Sequence, residues 1–83
     1  MHSQSDLLVE LLEAIARTLV DHPEEVQVRA VQGQAVTILE LRVPPEDVGR
    51  VIGHHGRLAE ALRTIFRGVG RKLHKRVTVV ILD

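Results

Sequence analysis

The chain contains no cysteine, no tryptophan and no tyrosine, and a single phenylalanine among 83 residues. Without cysteine there is no disulfide framework, no thiolate nucleophile and no cysteine zinc site. A surface almost free of aromatic rings excludes the nucleic-acid modules that stack bases on aromatic side chains. Phe66 falls on the apolar arc of a helical pattern, where core packing claims it. No apolar run approaches the roughly 18 residues needed to span a bilayer. The N-terminus, MHSQSDLLVE, is acidic and polar where a secretory signal is basic and then apolar. The expected location is therefore the cytoplasm. The length suits one domain over residues 1–83, with a thin core and modest stability.

Net charge is also lacking, but the zero conceals an asymmetry. Residues 1–47 carry three basic against nine acidic residues, a balance of −6, and residues 48–83 carry eight against two, a balance of +6. Polarity between halves points toward a phosphate-bearing partner, although a charge run is commonly a solvated face.

Periodicity predicts a helix from Ser5 to Val20, with Leu7, Leu8, Leu11, Leu12, Ile15 and Leu19 on one arc. Ser3 and Ser5 are candidate N-caps, and Asp21-His22-Pro23 ends the helix. Val26, Val28 and Ala30 then alternate with Gln27 and Arg29 as in a half-buried strand. Gln32-Gly33-Gln34 supplies a hairpin turn. A second strand, about Val36 to Val43, places Thr37, Leu39, Leu41 and Val43 on one face. Pro45 starts a short helix with Glu46 and Asp47 at its positive end. That helix breaks at Gly53-His54-His55-Gly56, and a longer one begins at Arg57. Leu58, Leu62, Ile65, Phe66, Val69 and Leu73 form its apolar arc, with Arg63, Arg67 and Arg71 opposite. A last strand runs from Arg76 to Leu82. The expected fold is α+β: a three-stranded mixed sheet with three helices on one face, in the order α-β-β-α-α-β. The crossover of roughly 30 residues before the last strand permits parallel pairing. The predicted core is Leu11, Ile15, Leu39, Leu41, Leu62, Ile65, Phe66, Val77 and Val79.

The functional signal lies between Gly49 and Arg57. Gly53 and Gly56 bracket two histidines in a tight turn between helices, so backbone N–H groups are accessible and no side chain holds a ligand away. The N-terminus of the following helix favours phosphate, and Arg50 and Arg57 flank the turn with cations. A Gly-x-x-Gly alone is commonly just a helix connection. Here the string Val51-Ile52-Gly53-His54-His55-Gly56, followed by a long helix and a valine-rich strand, resembles the KH (K-homology) family. The element order is similar to its type II, prokaryotic variant, over nearly the whole chain. The resemblance implies a non-enzymatic module whose Gly-x-x-Gly loop clamps the backbone of about four single-stranded nucleotides. It holds their bases in an adjoining apolar groove. The RNA-binding residues so implied are Gly49, Arg50, Val51, Ile52, Gly53, His54, His55, Gly56 and Arg57. An RNA chaperone or post-transcriptional regulator is the implied role. The His-His pair departs from the family, where lysine or arginine is common, and leaves the loop's charge open. The resemblance also implies self-association, and pairing with a larger KH-containing protein.

Rival readings fare worse. A helix-turn-helix reader of duplex DNA leaves the strands unexplained. A P-loop wants lysine and a hydroxyl residue after its second glycine, where Arg57-Leu58 stand. Gly68-Val69-Gly70 has no third glycine and lies inside a helical pattern. His54 and His55 are adjacent, with no third ligand at suitable spacing, so no metal is expected; nor is any cofactor. His2, His22 and His74 read as solvated. The remaining alternative is a protein-interaction or dimerisation adaptor with a KH-like fold, in which RNA binding is weak or secondary.

Overall fold

Ser3 starts the first helix, α1 (Gln4–Arg17), with a capping box: its hydroxyl accepts from the Asp6 amide, and the Asp6 carboxylate accepts from the Ser3 amide. The computed structural model describes residues 3–52 and 57–82, without the side chains of residues 50–52, 57 and 58. The helix stops three residues earlier than the periodicity predicts. The amides of Thr18 and Leu19 reach back three residues, to Ile15 and Ala16, and the Thr18 hydroxyl also donates to the Ile15 carbonyl. The last turn thus tightens. A single 3-10 turn, Pro23–Glu25, leads into strand β1 (Gln27–Gln32).

The Gly33 amide donates to the Val36 carbonyl to close the hairpin, and β2 (Val36–Arg42) runs back antiparallel to β1. Arg29 and Glu40, paired in the register, form a salt bridge at 2.8 Å across it. Helices α2 (Pro45–Ile52) and α3 (Arg57–Lys72) then carry the chain over to β3 (Arg76–Leu82), parallel to β2. The strand order is β1-β2-β3, so β3 is an edge. This is the expected α-β-β-α-α-β architecture, consistent with type II KH.

The alternation in β2 buries Thr37, Leu39 and Leu41, with Val43 just beyond, against Val77 and Val79 of β3 and the helices. From the helices come Leu8, Leu12, Ala16, Leu62 and Phe66. Two predicted core residues are not there. Leu11 is 41 % exposed and Ile65 47 %, and Ile15 is only half-buried. The apolar arc of each helix is wider than its footprint on so narrow a sheet. α1 buries the row Ser5, Leu8, Leu12 and Ala16, and α3 the row Ala59, Leu62, Phe66 and Gly70. Leu11 and Ile65 stand at the rims.

α3 ends in a Schellman arrangement. The Lys75 amide bonds to the Gly70 carbonyl at 2.8 Å, and the His74 amide to the Arg71 carbonyl at 3.1 Å. His74 occupies the left-handed position at φ 58°, where glycine is usual. The tightness of this ending explains Gly70. A Cβ there would lie 2.6 Å from the Lys75 carbonyl oxygen, whereas one at Gly68 would meet nothing within 4 Å.

Candidate nucleic-acid interface

The break between α2 and α3 can present a ligand-binding turn only if α2 is fixed to the body of the fold. Its first turn provides the fixing. Pro44 is buried, its carbonyl accepts from the Asp47 amide, and Val48 packs against the core. The Asp47 side chain is 1 % exposed. It reaches the segment after α1, accepting from His22 Nδ1 at 3.1 Å and from the Asp21 amide at 3.3 Å. A buried carboxylate needs such partners.

The two groups shift one another. The hydrogen bond to Asp47 raises the His22 imidazole above its ordinary value, against a smaller opposing effect of burial. The Asp47, Glu46 and Glu25 charges act in the same direction as that bond. Burial acts to raise the Asp47 carboxyl, but the bonds from His22 and the Asp21 amide together with the His22 charge outweigh it, and the carboxyl sits below its usual range. His22 is therefore a paired group rather than the solvated one the sequence implies. Glu46 and Asp47, expected only to complement a helix dipole, divide: Glu46 is exposed, 3.8 Å from His22, and Asp47 is the buried fastener. Among the described residues, His22, Glu25 and Glu46 also bring potential metal-ligating atoms within 4.8 Å of one another. His22 Nδ1 is committed to Asp47 and both glutamates are exposed, so the group reads as an ionic collar around the imidazole.

Of the nine residues implicated by sequence, Gly49 lies exposed on α2, and Arg50, Val51 and Ile52 complete that helix. Arg57 opens α3. Gly53, His54, His55 and Gly56 lie outside the described residues. A Cβ at Gly49 would meet nothing within 4 Å, so the fold itself does not demand glycine one turn before the break. Glycine in a helix interior costs roughly 1 kcal/mol relative to alanine.

Sequence reasoning missed two features nearby. One is the His22–Asp47 fastener. The other is the tertiary role of Arg63, which its spacing places in the stripe opposite the apolar arc. Its Nε donates at 3.2 Å to the Val79 carbonyl on the β3 edge, and its guanidinium lies 3.9 Å from Glu60. The signal for both lies in tertiary pairing, which a periodic pattern does not carry.

Residues 9–81 match the KhpA/KhpB KH-domain family. The chain is similar to the RNA-binding protein KhpA of Clostridium acetobutylicum, with 53 % identity over 88 % of this chain and 97 % of that protein. It is 45 % identical to the RNA-binding protein KhpA of Aquifex aeolicus over 92 % of this chain and 96 % of that one. With the KhpA of Treponema pallidum it shares 49 % identity over 89 % of this chain and 92 % of the relative. With its helix pair broken at a Gly-x-x-Gly and a parallel edge strand closing the sheet, the chain belongs to the KhpA/KhpB KH-domain family.

Proposed function

We infer that this protein is a non-enzymatic RNA-binding module. Its segment Gly53-His54-His55-Gly56 clamps the backbone of about four single-stranded nucleotides. The bases lie beside α2 and its apolar residues Val51 and Ile52, with Arg50 and Arg57 contributing cations. Its role is that of an RNA chaperone or post-transcriptional regulator. The observation that carries this reading is the coincidence of family and geometry. In a chain similar to proteins named RNA-binding, α2 ends at Ile52 and α3 begins at Arg57, leaving the two glycines and two histidines between helices. Three physical features support it. The start of α3 favours phosphate. α2 is anchored at Asp47, so the break has a fixed base. The surface at Gly49 is open although glycine weakens the helix there.

The test is a variant carrying His54→Asp with His55→Asp. It sets negative charge against phosphate at both positions between the glycines. Folding should be retained and binding of single-stranded RNA largely lost. Wild-type affinity in the folded variant removes the clamp. A second reading, an adaptor that forms homodimers or pairs with a larger KH-containing protein, is favoured by Leu7, 56 % exposed, beside Leu11 on α1. A Leu7→Glu variant that changes oligomeric state while RNA binding is absent throughout would put that reading first.

A further inference from the structure

Beyond the clamp, α3 and β3 enclose a groove of about 460 Å³ at the other end of α3. Arg63, Arg67 and Arg71 form one wall, and Lys75, Arg76 and Thr78 stand around its far end. The register and chain order place it there: β3 begins at Arg76 opposite Val36, just after α3 ends at Lys72, whereas the Gly-x-x-Gly segment precedes the start of α3 at Arg57. Arg63 is in an ion pair with Glu60. Among the described residues no carboxylate pairs with Arg67, Arg71, Lys75 or Arg76, and all four are exposed.

Protection of the open β3 edge does not account for this cluster. Edge strands are commonly blunted by a charged side chain, and Arg63 does so through its bond to the Val79 carbonyl. Arg67 and Arg71 lie on α3 and not on that strand, and gathering four cations without a counter-ion is electrostatically unfavourable. We propose that this groove is a second anion site that takes the phosphodiester backbone of the same RNA strand where it continues past the clamp. The proposal rests on the clamp reading. Residues four apart on α3 rise about 6 Å, a spacing on the scale of successive phosphates in an extended strand. Guanidinium forks match phosphate oxygens. An acidic peptide adding to the β3 edge fits less well, because Arg63 already occupies an edge carbonyl that such a strand needs.

The test compares mixed-sequence RNAs of 4 and 12 nucleotides, the first long enough for the clamp alone. Arg67→Gln with Arg71→Gln should weaken 12-mer binding roughly tenfold at low salt. It should lower the slope of log affinity against log salt by about 1.4, and leave the 4-mer unchanged. Lys75→Gln with Arg76→Gln, on the opposite side of the groove, should act in the same way. Circular dichroism checks that both variants fold. His54→Asp with His55→Asp should weaken both lengths, which keeps failure of the clamp distinct from failure of the groove. Wild-type affinity of both groove variants for the 12-mer overturns the proposal, and so does an equal loss on the 4-mer. A 12-residue polyglutamate that binds wild-type protein but not the groove variants, with 12-mer RNA binding unaffected, assigns the groove to an acidic protein segment instead.

Discussion

Gly68 and Gly70 stand two residues apart in one helix, and the same substitution should move stability in opposite directions. At Gly68 an added methyl meets nothing within 4 Å. Gly68→Ala therefore gains helix propensity and loses unfolded-state entropy, a stabilisation of about 0.4–1 kcal/mol. At Gly70 the propensity gain is the same, but the methyl carbon would sit 2.6 Å from the Lys75 carbonyl oxygen and 3.1 Å from Val77 Cγ2. Ordinary contact begins at 3.4 Å, so the neighbour must give by most of an ångström. That neighbour is backbone, in a residue whose own amide is bonded to the Gly70 carbonyl at 2.8 Å. Overpacking of this kind costs roughly 1–3 kcal/mol, and a weakened Schellman bond about 1 kcal/mol more. Net of propensity, Gly70→Ala should destabilise by about 1–3 kcal/mol. In a domain of this length each kcal/mol moves the thermal midpoint by about 4–8 °C. Melts followed by circular dichroism should therefore show Gly68→Ala rising by a few degrees and Gly70→Ala falling by on the order of 10 °C. Shifts of the same sign and similar size would refute the close approach of α3 and the start of β3.

Three further outcomes are expected. Leu62, 1 % exposed, should cost roughly 2–5 kcal/mol on replacement by alanine, enough to unfold much of the population, while Ile65→Ala at the helix rim should cost under about 1 kcal/mol in the same denaturant titration. The His22 contribution is complete below its unfolded value near 6.5 and lost as pH rises through its raised folded value, whereas that of Asp47 is complete above about 3.9 and lost as pH falls through its lowered one. The stability difference between wild type and Asp47→Asn should thus be greatest between about pH 4 and 6.5 and shrink toward pH 9, and a difference that is flat from pH 5 to 9 would remove the ion pair from the account. If the loop histidines meet phosphate, affinity for single-stranded RNA should increase as pH falls from about 8 to about 6, and His54→Asn with His55→Asn should abolish that dependence.

Much of the fold was legible because the governing signals are local and periodic. Thr37, Leu39, Leu41 and Val43 announce β2 and its buried face, and all four are buried. Pro45, Arg57 and Arg76 begin the elements they were expected to begin. The misses lie where contacts between residues apart in sequence, or an unusual residue type, decide the structure. His22 and Asp47 are 25 residues apart, and neither neighbourhood contains a sign of the other. The left-handed residue that ends α3 is a histidine, so the usual glycine signal is missing. Gly70 is explained only by Lys75, brought back against it when the helix ends. Leu11 and Ile65 show a different limit. Periodicity reports the arc a helix could bury, and the width of the facing sheet decides how much of it is buried.

The charge asymmetry read from sequence becomes a spatial one, and this bears on whether a neutral protein can attract a polyanion. On the helical face of the sheet α1 packs on β1 and β2, while α3 packs on β3, so the acidic α1 lies toward the β1 edge and the basic α3 toward the β3 edge. Acidic residues of the first half have partners close by: Glu13 with Arg17, Glu40 with Arg29, Asp47 with His22. Four cations around the β3 groove have none among the described residues. At physiological ionic strength the screening length is about 8 Å, well below the 34 × 28 × 18 Å extents of the molecule. A strand approaching β3 is consequently governed by the local positive charge and is scarcely affected by the acids beyond α1. The zero net charge is thus no argument against a phosphate-bearing ligand, and the separation sets the side of approach: toward α3, at whose start the Gly-x-x-Gly segment lies.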